Sequence, residues 1–176
     1  MMRYLEVRRH TMRVKPGQHL SQEGVDLARR VGSEIGPFEF VITSSLHRAY
    51  ETAIAMGFAV NDQLEELATL GRGVEIDVGG WDAGFAAYGA AYHRNGAVAA
   101  FARQQADLWR SIVEGVTDGG SALVITHGGI VEAGAVGCIP LADHAVWGPV
   151  IAYCEGVRLY FDGTSFVRAD ILRVKP

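Results

Sequence analysis

Four consecutive apolar residues, Ala122-Leu123-Val124-Ile125, constrain the fold of this chain more than any other feature. A strand that is buried on both faces has a near-continuous apolar sequence, whereas a strand with one face in water alternates apolar and polar residues. The run therefore predicts a central strand covered by helices on both sides. It ends in Thr126-His127-Gly128-Gly129, where the glycines allow close backbone approach and leave the N–H groups of the following helix free for an anion.

A second apolar segment, Tyr4 to Val7, ends in Arg8-Arg9-His10. Parallel strands present their carboxyl ends to the crevice in which ligands bind, so we expect His10 and His127 to lie at the same edge of the sheet. An adjacent guanidinium disfavours protonation of an imidazole, and a neutral imidazole can attack an electrophile. The same guanidinium binds phosphate through paired N–H donors. The pair Arg9 and His10 thus indicates phosphate chemistry.

The remaining segments alternate between strand and helix patterns, which predicts a three-layer α/β/α sandwich with a mainly parallel central sheet, in one domain spanning residues 1–176. Glycine-rich residues 71–84 predict a long loop or lid. Helices are expected at 21–35, around Arg48, and at 85–92, 97–115 and 130–137. Further strands are expected at 38–42, 58–60 (a short edge strand), 150–154, 157–161 and 166–172, with a hairpin turn at Asp162-Gly163.

Charge and cysteine content exclude several classes of partner. The net charge of −4 gives the molecule no electrostatic affinity for nucleic acid or for an anionic membrane. No run of eighteen apolar residues and no signal-peptide pattern occurs, and Cys138 and Cys154 lack metal-ligand spacing, so we expect buried thiols in a cytoplasmic protein. Homo-oligomerisation is compatible with the sequence but is not specified by it. Five cations near the amino terminus predict a positive basin for a small anionic substrate: Arg3, Arg8, Arg9, Arg13 and Lys15.

Four motifs together resemble those of the histidine phosphatase superfamily, which has the phosphoglycerate mutase-like fold. The family pattern of a strand ending in Arg-His-Gly is similar to Arg9-His10-Thr11, and the family's Ser-x-x-x-Arg-Ala-x-x-Thr-Ala is matched by residues 44–53 with Arg48 as its arginine. The second strand ending, His-Gly-Gly, is present at 127–129. Leu20-Ser21-Gln22-Glu23-Gly24 corresponds to the helix-opening Leu-Thr-x-x-Gly. The segment 67–97 is poorly covered by the resemblance.

The resemblance implies a metal-independent and cofactor-independent phosphatase that acts on a small phosphorylated substrate. His10 would be the nucleophile that accepts the phosphoryl group, and Arg9 and Arg48 would neutralise the equatorial oxygens. His127 would complete the pocket with a further N–H donor. Water would then hydrolyse the phosphohistidine.

Two departures from the family pattern leave alternatives open. Thr11 replaces the usual glycine and restricts the backbone next to the nucleophile. The general acid is either Glu66, in Leu64-x-Glu66, or Glu75, in a sequence that resembles the family's Glu-x-x-x-Gly-x-Trp; Asp82 is a third option. The alternatives to a phosphomonoesterase are a phosphohistidine-protein phosphatase, because the smallest family members lack the acid, and a non-catalytic phosphate-binding domain. A mutase is less favoured, because the enclosing insertions are absent.

Overall fold

A computed structural model describes all residues from 1 to 176, and its centre is a six-stranded sheet with the strand order β3-β2-β4-β1-β5-β6. Strand β4 lies inside the sheet, as its continuous apolar sequence predicts, and five of its six residues are buried. The strands are β1 (Arg3–Arg9), β2 (Phe40–Ser44), β3 (Asp62–Leu64), β4 (Ser121–Thr126), β5 (Gly156–Phe161) and β6 (Phe166–Leu172).

The register of β1 against β4 positions the two histidines. These strands pair in parallel from Tyr4 opposite Ser121 to Arg9 opposite Thr126. His10 and His127 follow at the same level, because each is the next residue after a paired position. The pairs β2–β4 and β2–β3 are also parallel, whereas β5 and β6 are antiparallel additions at one edge. The predicted three-layer, mainly parallel architecture is confirmed.

Helices cover both faces of the sheet, and each face has its own apolar core. Helices α1 and α2 pack on the smaller core, whereas the other four helices enclose the larger one. Trp109 of α5 lies fully buried against α6, where a Cβ at Gly134 would approach the indole ring to 2.1 Å. The helices are α1 (Gln22–Gly32), α2 (His47–Ala55), α3 (Arg72–Val78), α4 (Phe85–His93), α5 (Ala97–Glu114) and α6 (Ile130–Cys138), with 3₁₀ turns at Glu65–Leu67 and His144–Trp147.

Three sequence predictions of local structure are wrong. The edge strand is Asp62–Leu64 and not residues 58–60, because the chain first has to leave α2 through a turn at Gly57. The stretch from 71 to 84 contains helix α3, and glycines with positive φ, Gly71 and Gly79, stand at its two ends. Residues 150–154 form no strand, because Cys154 adopts a left-handed conformation with a φ of 63° that ends regular extension.

The two cysteines are unpaired thiols, and burial raises the pKa of both, that of Cys154 to about 11. They therefore remain protonated at neutral pH. Among the helices, none combines the length and the apolar character that crossing a membrane requires.

Candidate active site

A polar cleft of about 320 Å³ lies at the carboxyl edge of the sheet, where β1 and β4 end. The four residues on which the sequence prediction of phosphate chemistry rests all line it: Arg9, His10, Arg48 and His127. The rings of the two histidines are 5.2 Å apart between centroids. The structure thus brings together side chains from β1, α2 and the segment after β4. The rest of the lining consists of Arg13, Lys15, Ala68, Thr69, Leu70, Glu75, Trp81, Gly128 and Tyr153.

His10 is held with one nitrogen fixed and the other directed at a cation. Its Nδ1 lies 2.6 Å from the carbonyl oxygen of Thr11, an acceptor, so Nδ1 carries the proton. Nε2 consequently has a free lone pair, which accepts a hydrogen bond from Nε of Arg48 at 3.3 Å. Burial lowers the pKa of His10 to about 3, and the guanidinium groups of Arg48 and Arg9 act in the same direction. The ring is therefore neutral at physiological pH, with the lone pair on Nε2.

Arg48 stands in the first turn of α2 and reaches into the cleft beside His10. Its Nη1 donates to Oε1 of Gln18 at 2.6 Å, which fixes the guanidinium from the β1–α1 segment. The helix is tied to the residue after His10 by Thr52, whose hydroxyl donates to the carbonyl of Arg48 and accepts the backbone N–H of Thr11. The arginine and the histidine are thus fixed relative to one another through both side chains and backbone.

His127 has one ring nitrogen anchored and one without a partner. Nε2 lies 2.6 Å from the hydroxyl of Ser44, at the end of β2. The same oxygen accepts the N–H of Leu46, and donation of its hydrogen to Nε2 places the proton of His127 on Nδ1. Nδ1 is buried and has no hydrogen-bond partner. Burial, together with the neighbouring His10 ring and Arg48, lowers the pKa of His127 to about 2, so the ring offers a neutral N–H donor.

Arg9 lies between two aromatic rings. Its guanidinium carbon is 4.1 Å from the ring centroid of Tyr153 and 5.0 Å from that of Trp81, and its Nη1 donates to the carbonyl of Ile151. Stacking of this kind fixes the plane of a guanidinium while its N–H groups stay available. Its Nε is buried without a partner. Arg9 is therefore an oriented donor for an anion.

The glycines after His127 allow a close approach, although only part of the predicted anion site remains free. A Cβ at Gly128 would stand 2.4 Å from the ring of Trp81, so only glycine fits beneath the indole. The N–H of Gly129 is not free, since it donates to Oε1 of Glu132 at 3.2 Å. Glu132 is fully buried, and burial raises the pKa of its carboxyl to about 7. The expectation that the helix N–H groups are all available to an anion is corrected at this position.

Of the three acid candidates, only Glu75 lines the cleft. It is exposed on α3, and its carboxylate has no hydrogen-bond or salt-bridge partner in the protein. Glu66 lies exposed in the 3₁₀ turn after β3, where its carbonyl accepts the side-chain amide of Gln105. Asp82 is also outside the lining. A helix within the glycine-rich stretch therefore carries the one carboxylate that faces the phosphate-binding residues.

Thr11, which departs from the family pattern, fits without strain. Its φ is not positive, and its fully buried hydroxyl donates to the carbonyl of Gly24 in α1 at 2.8 Å. The hydroxyl therefore faces α1. Thr11 thus connects the end of β1 to helix α1.

Of the five cations predicted to form a positive basin, only Arg9, Arg13 and Lys15 line the cleft. Arg8 points to the opposite side of β1 and donates to buried Glu6, and Arg3 pairs with Asp118. The alternation of side chains along a strand separates Arg8 from Arg9. Arg3 begins β1, at the end of the strand away from the cleft. Sequence reasoning did not assign Gln18, Ser44, Trp81 and Tyr153 to the site, although Ser44 and Trp81 are part of motifs it quoted.

Comparisons with known proteins agree with this geometry. The sequence profile of the histidine phosphatase superfamily (branch 1) matches residues 6–170. Phosphoserine phosphatase from Entamoeba histolytica superposes with a TM-score of 0.70 at 15% identity, covering 98% of both chains. Phosphoglycerate mutase from Bacillus anthracis gives 0.68 at 16% identity, covering 98% of this chain and 92% of the other.

A mycobacterial glucosyl-3-phosphoglycerate phosphatase superposes with a TM-score of 0.65 at 19% identity, covering 99% of this chain and all of the other. No curated protein sequence is significantly similar to this chain. At identities this low the structures establish a common fold, whereas the profile match extends over nearly the whole sequence and includes every motif around the cleft. With two histidines and two arginines at its carboxyl edge, the chain belongs to the histidine phosphatase superfamily.

Proposed function

We propose that this protein is a phosphatase that hydrolyses small phosphomonoesters through a covalent phosphohistidine on His10. The observation that carries the proposal is the state of the His10 ring. Its Nδ1–H donates to the carbonyl of Thr11, so the lone pair of Nε2 faces Arg48 in a cleft lined by cations. A neutral imidazole in that position can attack phosphorus without first losing a proton.

In the first step Nε2 of His10 forms a bond to phosphorus while the bond from phosphorus to the ester oxygen breaks. Arg9 and Arg48 stabilise the charge on the equatorial oxygens, and Nδ1–H of His127 donates to one of them. Glu75 donates a proton to the departing oxygen, which leaves as an alcohol. Its place in the lining supports that role over Glu66 and Asp82.

In the second step water attacks the phosphohistidine. Glu75, now a carboxylate, accepts the proton of the water, and the bond between Nε2 and phosphorus breaks. Inorganic phosphate leaves, and His10 returns to its neutral state. The cycle requires no redox change and no external acid, because Glu75 donates a proton in the first step and regains one in the second.

The cleft favours a small substrate over a phosphorylated protein. Its volume of about 320 Å³ is at the lower end for small-molecule pockets, and Trp81 and Glu75 narrow it. A phosphohistidine-protein phosphatase needs no acid for its leaving group, since an imidazole leaves readily; the presence of Glu75 in the lining therefore supports ester substrates.

The first experiment measures turnover of p-nitrophenyl phosphate by the wild type and by His10→Ala, prepared identically and without added metal. We expect turnover by the wild type, and a phosphorylated protein after quenching in alkaline denaturant that is absent from the variant. Equal activity in the two proteins would refute the mechanism. Phosphate binding with neither turnover nor a trapped phosphoprotein would support the alternative that the protein is a non-catalytic phosphate-binding domain.

A second experiment identifies the acid by its dependence on the leaving group. We expect Glu75→Gln to lower kcat/KM for an alkyl phosphate by about a hundredfold or more, because an alkoxide leaves poorly without a proton. The loss for p-nitrophenyl phosphate should be much smaller, since its phenolate is stable. Glu66→Gln is the matched control, and a larger selective loss in that variant would assign the acid to Glu66.

A further inference from the structure

The cleft contains more positive charge than a phosphoryl group needs. Four cations line it, Arg9, Arg13, Lys15 and Arg48, against the single carboxylate of Glu75. If all are ionised, three positive charges remain, and a phosphate dianion cancels two of them. An anionic subsite beyond the phosphoryl group would balance the remaining charge.

None of the four cations of the cleft has a carboxylate partner in the protein, and Arg13 and Lys15 are the two that the proposed phosphoryl site does not use. Neither forms a salt bridge, and Nη1 of Arg13 donates to the backbone carbonyls of Pro16 at 3.1 Å and Gly17 at 2.8 Å. Those bonds fix the arginine without neutralising its charge. By contrast, seven other arginines have carboxylate partners: Arg3, Arg8, Arg94, Arg110, Arg158, Arg168 and Arg173.

The position of these two residues is defined by the fold. Arg13 forms a bridge with Leu20 that closes the β1–α1 segment, and Lys15 lies inside that closed loop. The charge of Arg13 reaches the phosphate-binding residues, since Arg13 acts with burial to lower the pKa of Arg48. Four cations converge here around a single carboxylate, an arrangement that an anionic ligand stabilises.

We propose that Arg13 and Lys15 form a subsite for a second anionic group, so that the substrate is a small phosphomonoester bearing a carboxylate or another phosphate. This rests on the proposed function, which places the phosphoryl group at His10. The guanidinium of Arg13 is held in place by two backbone carbonyls of the same loop. Lys15 adds a flexible ammonium group from that loop. The ester then spans the cleft from His10 to this subsite.

Binding to His10→Ala tests the subsite without turnover. Calorimetry compares 3-phosphoglycerate with glycerol 3-phosphate, which differ only in a carboxylate in place of a hydroxymethyl group. We expect the carboxylate to tighten binding by roughly tenfold or more, as one charge-assisted contact does. Fructose 1,6-bisphosphate and fructose 6-phosphate are compared in the same way to measure the effect of a second phosphate. The pair with the larger ratio of dissociation constants identifies the preferred anion.

Substitutions in the subsite should abolish this preference. Adding Arg13→Gln and Lys15→Gln should bring both ratios to about one, whereas Arg103→Gln with Lys175→Gln, which removes two charges from outside the cleft, should leave the ratios unchanged. Lys15→Gln alone, at an exposed position, should lower the ratio even if the double variant fails to fold. Ratios near one in the parent protein, or equal losses in the control, would overturn the subsite. Absence of p-nitrophenyl phosphate turnover would instead overturn the proposed function, and the binding ratios would still decide the subsite.

Discussion

The hydrogen bond between Ser44 and His127 should control which ring nitrogen of His127 faces the phosphate. Its length is 2.6 Å, Ser44 is fully buried, and the serine oxygen also accepts the N–H of Leu46. Ser44→Ala removes the donor to Nε2. That nitrogen is then buried without a partner in the Nδ1–H tautomer, and the opposite tautomer presents a lone pair to the anion.

Leaving one buried polar group unsatisfied costs about 1–3 kcal/mol. If that cost appears in the transition state, kcat/KM should fall by a factor between roughly 5 and 150, because each 1.36 kcal/mol is tenfold in rate. Ser45→Ala is the matched control: the neighbouring hydroxyl binds Glu65 outside the cleft at 2.5 Å, so its loss should change kcat/KM by less than about twofold.

The assay is steady-state hydrolysis of p-nitrophenyl phosphate, combined with ¹⁵N NMR of the His127 ring. We expect the wild type to carry its proton on Nδ1 and Ser44→Ala to show a mixture of tautomers. The reasoning would be refuted if Ser44→Ala and Ser45→Ala had equal activity, or if the wild-type ring carried its proton on Nε2.

Three other outcomes follow from the structure. Gly128→Ala should reduce kcat/KM at least about tenfold, because the new Cβ would stand 2.4 Å from Trp81, whereas Gly73→Ala meets no atom within 4 Å and should be neutral in the same assay. The pKa of His10 falls from 6.5 to about 3 on folding, so the unfolded chain binds more protons below pH 6.5 and stability is lost as the pH falls. His10→Gln removes this contribution and should gain about 1 kcal/mol in unfolding free energy relative to the wild type per pH unit between pH 6 and 4; a constant difference in urea titrations would contradict the buried neutral ring. Glu6→Gln leaves two arginines without their buried carboxylate and should lower the unfolding free energy by about 3 kcal/mol; a loss below about 1 kcal/mol would show that the ion pair is dispensable.

The sequence by itself determined the positions from which the cleft is built. Apolar runs identify β1 and β4 because burial on both faces leaves no polar alternation, and the residues that end these runs must meet at one edge of a parallel sheet. His10 and His127 could therefore be placed together without coordinates. Arg48 followed from its motif. All of these signals are local patterns joined by one general rule of topology.

Only the tertiary structure decided which side chains complete the cleft. Glu66 and Glu75 were equivalent by sequence, and the packing of α3 brings Glu75 into the lining while Glu66 stays outside. Tyr153 reaches Arg9 from a segment whose apolar residues predicted a strand. Such contacts join residues far apart in the chain and depend on packing between elements, which no local pattern encodes. The sequence therefore specified the two histidines and two arginines of the cleft, and the fold decided what surrounds them.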